Sequence, residues 1–126
     1  CGVPFRTAFA AGGGGVMVSH AVIPGLTGGI PGTQSRAALS VLRSQAGDKT
    51  LIITDSLAMA AVTTVMEQSQ SQAAVRALIN GADLALIQSG NPLKIRNAIS
   101  RAIETGRLPR EQAIDSARRI LAAQQG

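Results

Sequence analysis

Asp55 is the residue best placed to do chemistry. It closes the apolar run Leu51–Thr54 in the text LIITDSLAM. A lone carboxylate at the carboxyl tip of a parallel strand stands where α/β folds place reacting groups. The residues after it, Ser56, Ala58, Ala60 and Ala61, are small and leave space for a ligand. The competing role is plainer: Asp is a common N-cap, and a helix is expected next. His20 closes a second apolar run, Val16–Ser19, and is the chain's sole histidine. A single His at a strand end is more often a hydrogen-bonded core residue than a catalytic one. With one His and one Cys, Cys1, the sequence excludes a multi-His metal site, a disulfide framework and a cysteine-rich zinc site. Asp83 precedes a third apolar run and reads as structural, and Glu67 falls on a solvated stretch, EQSQSQ.

Elements that could position Asp55 and His20 are legible from patterning. The strands read as Val16–Ser19, Leu51–Thr54 and Leu84–Ile87, apolar on successive residues, as for a parallel sheet covered on both faces. Their first residues, 16, 51 and 84, lie 35 and 33 apart, about one strand-plus-helix unit. Helical patterns fill the gaps. The first opens at Pro4. The second has Ser35 as N-cap, Gly47 as stop and Ala37, Ala38, Val41 and Leu42 inward. The third carries Ala74, Val75, Leu78 and Ile79 before Gly81. The fourth has Asn91 as cap, Pro92 in the first turn, and Leu93, Ile95, Ile99 and Ile103 inward. The last sets Ile114, Ala117, Ile120 and Leu121 at helical spacing. This alternation predicts an α/β fold with right-handed crossovers. The Gly-rich AGGGGVM precedes a strand, whereas phosphate loops follow one, so it reads as a helix-to-strand turn.

Composition narrows the partners. The chain has 126 residues, 45% hydrophobic, with mean hydropathy +0.21, enough for one real core. Charged and polar residues interrupt every apolar run, so no membrane span is expected. The net charge of +5 comes with dispersed arginines and 2% aromatic residues, without Trp or Tyr. That leaves no stacking platform, and nucleic acid is not an expected partner. CGVPFRTAF lacks the pattern of a secretory signal.

Four pieces of text in order carry a family resemblance: GVMVSHAVIPGL, LIITDSLAMAAV, AAVRALINGADLALI and LPREQAIDSARRIL. Together they resemble the family 3 glycoside hydrolases, in the β-N-acetylhexosaminidase branch. The resemblance implies that residues 1–126 form a partial catalytic domain, the C-terminal part of a (β/α)8 barrel with about three βα units. It implies Asp55 as catalytic nucleophile of a retaining hydrolase, with a glycosyl-enzyme intermediate released by water. His20 would lie beside the sugar pocket, orienting rather than transferring protons. Met59 would line the pocket wall, and Ser56 would stand where the family usually has a second acidic residue. The implied substrate is a β-linked amino sugar or glucoside, and the resemblance implies no cofactor or metal for the chemistry. The setting would be a bacterium, either the cytoplasm or the cell envelope.

Two departures shape the expectation. Nothing matches the branch's acid/base loop, of the type KHFPGHG, and a positioned general acid is worth about 10²- to 10⁴-fold. A complete barrel needs about 250 residues. Three strands alone would expose sheet edges, so a further barrel segment upstream or self-association is expected. The alternative function is a non-catalytic binding or assembly module of the same fold.

Overall fold

Residues 2–12 and 14–125 are described by a computed structural model of the chain; Cys1 lies outside them. The elements run α1 (Val3–Ala10), β1 (Gly15–Val18), a 3-10 turn (Gly32–Gln34), α2 (Arg36–Ala46), β2 (Leu51–Thr54), α3 (Gln70–Asn80), α4 (Pro92–Glu104) and α5 (Arg110–Gln125). β1 and β2 pair in parallel, Gly15 opposite Leu51 through Val18 opposite Thr54. Both strands therefore end at the same edge, which carries Ser19 and His20 on one side and Asp55 and Ser56 on the other.

The predicted third strand is reduced to a parallel bridge between Leu84 and Ile53. The reason is local. The Leu84 and Leu86 carbonyls accept from the amides of Thr54 and Leu57, but the Leu86 amide donates to the Thr54 side-chain Oγ1. A side chain thus takes the place of a ladder carbonyl, and the pairing stops. The expected burial of every strand on both faces also needs correction. Val16 and Val18 pack with Ile52, Leu39, Ala77 and Ala82 on the helix-covered face, while Met17, of opposite parity, is 55% exposed. None of the described residues covers that second side of β1 as the helices cover the first.

The helix ends follow the predicted chemistry. The Ser35 Oγ accepts from the Ala38 amide, Asn91 Oδ1 accepts from the amides of Leu93 and Lys94 with Pro92 opening α4, and Gly47 closes α2 at φ +83°. α3 starts with a capping box between Ser69 and Gln72. It is the central element, burying Ala73 and Ala74 against Leu57, Val62 and Ile95, Ala77 against Ile52, and Val75 against Ala102 and Leu108. Some predicted inward positions differ. α2 buries Leu39 and Ala46 rather than Val41, Leu93 is exposed at the start of α4, and α5 buries no residue. In α4 the rest of the stripe does face the core, with Ile95 buried and Ile99 and Ile103 packed against it, and in α2 Leu42 packs beside Leu39. α5 is fastened by polar groups, Gln112 on the carbonyls of Leu78 and Ile79 and Ser116 and Arg119 on Asp83.

Candidate active site

Ser56 ties the sequence-predicted site residues together. Its amide donates to Asp55 Oδ1 at 2.7 Å. Its carbonyl accepts from His20 Nε2 at 2.8 Å and from the Met59 amide at 3.3 Å. Asp55 itself is half-buried, and its amide donates to the Val18 carbonyl at 2.9 Å, locking the strand end to β1. Oδ2 of Asp55 has no protein donor among the described residues. The carboxylate therefore has one oxygen held and one available. The helix expected directly after Asp55 is absent. Residues 57–67 form successive turns, and Asp55 accepts from the next residue rather than from the second or third amide of a helix. The N-cap role is thereby set aside.

His20 is 9% exposed and Ser56 2%, so both lie beneath the surface on which Asp55 opens. The second ring nitrogen of His20, Nδ1, meets Thr33 Oγ1 at 2.7 Å. A carbonyl only accepts, so Nε2 carries a proton, and in the neutral ring Nδ1 accepts from the Thr33 hydroxyl. Neither nitrogen is left for a ligand. Met59 stands apart from them, 46% exposed on the turns beyond Asp55.

Sequence reasoning missed the residues that brace this edge. Gly32 passes close to the end of β1: a Cβ there would meet the Ser19 carbonyl oxygen at 3.1 Å and that of Ala21 at 3.3 Å. This approach brings Thr33 to His20. Gln34, fully buried, donates from Nε2 to the Ala73 carbonyl and accepts at Oε1 from Gln68 Nε2, which also reaches the Val62 carbonyl. Asn80 Nδ2 donates to the Gln34 carbonyl. The turns after Asp55 are thus pinned to α3 and to the 3-10 turn. A local signal existed in the unusual run of small and amide residues, but the partners lie 34 and 39 residues away.

Asp83 occupies the opposite end of the sheet. It is 5% exposed, accepts from the Ile52 amide and Ser116 Oγ, and pairs with Arg43 and Arg119 at 2.5 and 2.9 Å. This is the structural reading expected of it. A cavity of about 550 Å³ opens beside it, lined by Arg36, Arg43, Asn80, Gln112 and Arg119 among others. Those arginine donors are already committed to Asp83 and to the carbonyls of Ile79, Gly47, Thr50 and Asp48. The carboxylates that line it, Glu111 and Asp115, are exposed on α5, whereas Asp55 presents its open oxygen at a strand tip. Among the described residues no group of His, Cys, Asp and Glu gathers to hold a metal, and no helix is long and apolar enough to cross a membrane.

Comparison with known proteins decides the family. Residues 1–123 match the model of the glycosyl hydrolase family 3 N terminal domain. The chain belongs to glycosyl hydrolase family 3. It is 34% identical over 114 residues to the beta-hexosaminidase LpqI of Mycobacterium bovis, covering 85% of this chain and 29% of that protein. The chain thus spans under a third of that relative. Among solved structures, a family 3 glycosyl hydrolase from Mycobacterium smegmatis superposes with a TM-score of 0.83 at 31% identity, over 96% of this chain and 39% of the other. A family 3 beta-N-acetylglucosaminidase from Paenibacillus sp. superposes with a TM-score of 0.84 at 32% identity, over 97% and 24%. The parallel α/β arrangement around Asp55 is therefore that of family 3 glycoside hydrolases.

Proposed function

We propose that this chain carries the nucleophile of a retaining β-N-acetylglucosaminidase, with Asp55 as that nucleophile. The observation that supports it is the half-held carboxylate: Oδ1 fixed by the Ser56 amide, Oδ2 open at the strand tip. Oδ2 attacks the sugar C1 and forms a glycosyl-enzyme ester, while the leaving oxygen takes a proton from a general acid. Water then attacks C1, giving up its proton to the conjugate base, and the ester bond to Asp55 breaks. The general acid comes from another part of the enzyme, because none of the chain's text resembles the acid/base loop. Met59, on the exposed flank, contributes to the sugar-facing wall. The substrate class is a terminal β-linked N-acetylglucosamine or a related sugar, in keeping with the beta-hexosaminidase and beta-N-acetylglucosaminidase relatives.

The architecture we propose is the last part of a (β/α)8 barrel, completed by further βα units upstream. The open edge of β1 and the exposed apolar residues Phe5, Met17, Val22, Ile23 and Val41 support it, since a neighbouring unit would cover them. The test is hydrolysis of 4-nitrophenyl N-acetyl-β-glucosaminide by wild type and Asp55→Asn, with mass and oligomeric state on the same sample. Turnover that survives Asp55→Asn removes the nucleophile assignment. The same apolar edge also favours the second reading, an assembly module without turnover. That reading predicts a stable oligomer of this chain with no dependence on Asp55, and a cleanly melting monomer counts against it.

A further inference from the structure

We infer that His20 is a positioning residue that aims Asp55 through Ser56 and makes no contact with the sugar. The inference rests on the nucleophile reading of Asp55. Its own basis is a chain of contacts running from Thr33 to His20, from His20 to the Ser56 carbonyl, and from the Ser56 amide to Asp55 Oδ1, at 2.7, 2.8 and 2.7 Å. The ring is 9% exposed and both nitrogens are engaged, so it has nothing to offer a ligand. Its grip on Ser56 has a different consequence. The Ser56 carbonyl belongs to the Ser56–Leu57 peptide, which His20 holds on one side and the bond from the Leu57 amide to the Leu86 carbonyl holds on the other. The Ser56 amide belongs to the preceding peptide, so a turn at buried Ser56 that moves this amide, and Asp55 Oδ1 with it, works against the His20 bond. Oδ2 is then held facing outward before substrate arrives.

The anchor behind the ring is rigid as well. Thr33 is fully buried in the 3-10 turn, and the next residue, Gln34, is fastened to α3 through Ala73 and Asn80. The position of Asp55 is thereby referred to α3, the central helix, rather than to its own turns. Preorganisation of this kind matters because a displacement of about 1 Å at a reacting group costs about 10²-fold in rate.

The test compares His20→Leu, His20→Gln and Thr33→Val. Gln offers an acceptor and a donor at a separation close to that of the two ring nitrogens, so it can take up both bonds. Turnover of 4-nitrophenyl N-acetyl-β-glucosaminide is expected to lose about 10- to 100-fold in kcat for His20→Leu, with KM within about twofold, and to recover about tenfold in His20→Gln. The second measurement is backbone amide exchange and ring ¹⁵N shifts of the purified chain by NMR. Wild type should show the Nε2-protonated tautomer, and His20→Leu should speed exchange at Ser56 far more than at Ala73–Ala77 of α3. Thr33→Val should disturb the ring shifts while the fold remains, which keeps the test decisive where His20→Leu fails to fold. Equal kcat in His20→Leu and wild type, with Asp55→Asn inactive, overturns the inference and leaves the nucleophile reading standing. Activity surviving Asp55→Asn does the reverse: the nucleophile reading falls, and the Ser56 exchange and ring shifts alone decide whether His20 holds the Asp55 edge. Uniform exchange changes, or none, overturn it in either case.

Discussion

Two aspartates mark the two ends of one small sheet, and they are held in opposite ways. Asp83 takes two arginines, a serine hydroxyl and a backbone amide, saturating both carboxylate oxygens beneath the surface. Asp55 takes a single amide, from its own neighbour, and leaves Oδ2 open. The difference separates a carboxylate that joins elements from one whose second oxygen stays open, as the proposed nucleophile requires. Asp83 connects α2, β2 and α5, which otherwise buries no residue. Asp55 connects nothing beyond the pairing of its own amide with β1. Its exposure is tolerated because other residues, His20, Thr33, Gln34 and Gln68, hold the turns around it.

Substitutions should separate the two ends sharply. Asp55→Asn is expected to lower turnover by about 10⁶-fold, the scale on which removal of a covalent nucleophile acts, while unfolding free energy stays within about 0.5 kcal/mol. Urea titration beside the chromogenic assay reads both, and a large stability loss would erase the contrast. Asp83→Ala is expected to do the opposite, costing about 3–5 kcal/mol because two arginines lose their buried counter-charge. A loss of unfolding free energy below about 1 kcal/mol in the urea titration would show that the cluster is a weak surface network. Gly32→Ala tests the brace at the Asp55 end. The added Cβ meets two carbonyl oxygens, so about 1–3 kcal/mol is expected, together with lower kcat as Thr33 moves from His20. Asn91→Ala removes the cap of α4, away from the Asp83 cluster, and should cost about 1 kcal/mol with no change in turnover. Any effect on kcat would mean that α4 is coupled to the Asp55 end.

Much of this was legible in the sequence because it is local. The apolar runs ending at Val18 and Thr54, the caps Ser35 and Asn91 and the glycine stop at residue 47 depend on neighbours within a few positions. So does the placement of Asp55, which needs only a strand before it. The third strand failed because one side-chain oxygen, Thr54 Oγ1, takes the Leu86 amide, and no periodicity reports that. The inward face of α2 failed because Val41 borders a groove along β1 and α1 while Leu39 meets Ile52. Thr33 and Gln34 were invisible for a related reason. Each is ordinary turn text until a close glycine approach places it against residues far along the chain.

The Asp83 cluster also sets an order in which the molecule can be completed. Arg43 and the Ile52 amide leave the ribosome before Asp83, so the carboxylate finds one cation and one amide as soon as it is made. Arg119 and Ser116 emerge 36 and 33 residues later, and Arg119 must also reach back to the carbonyl of Asp48. Until α5 is made, Asp83 has Arg43 and the Ile52 amide on Oδ2 but lacks the donors of Oδ1, which α5 then supplies.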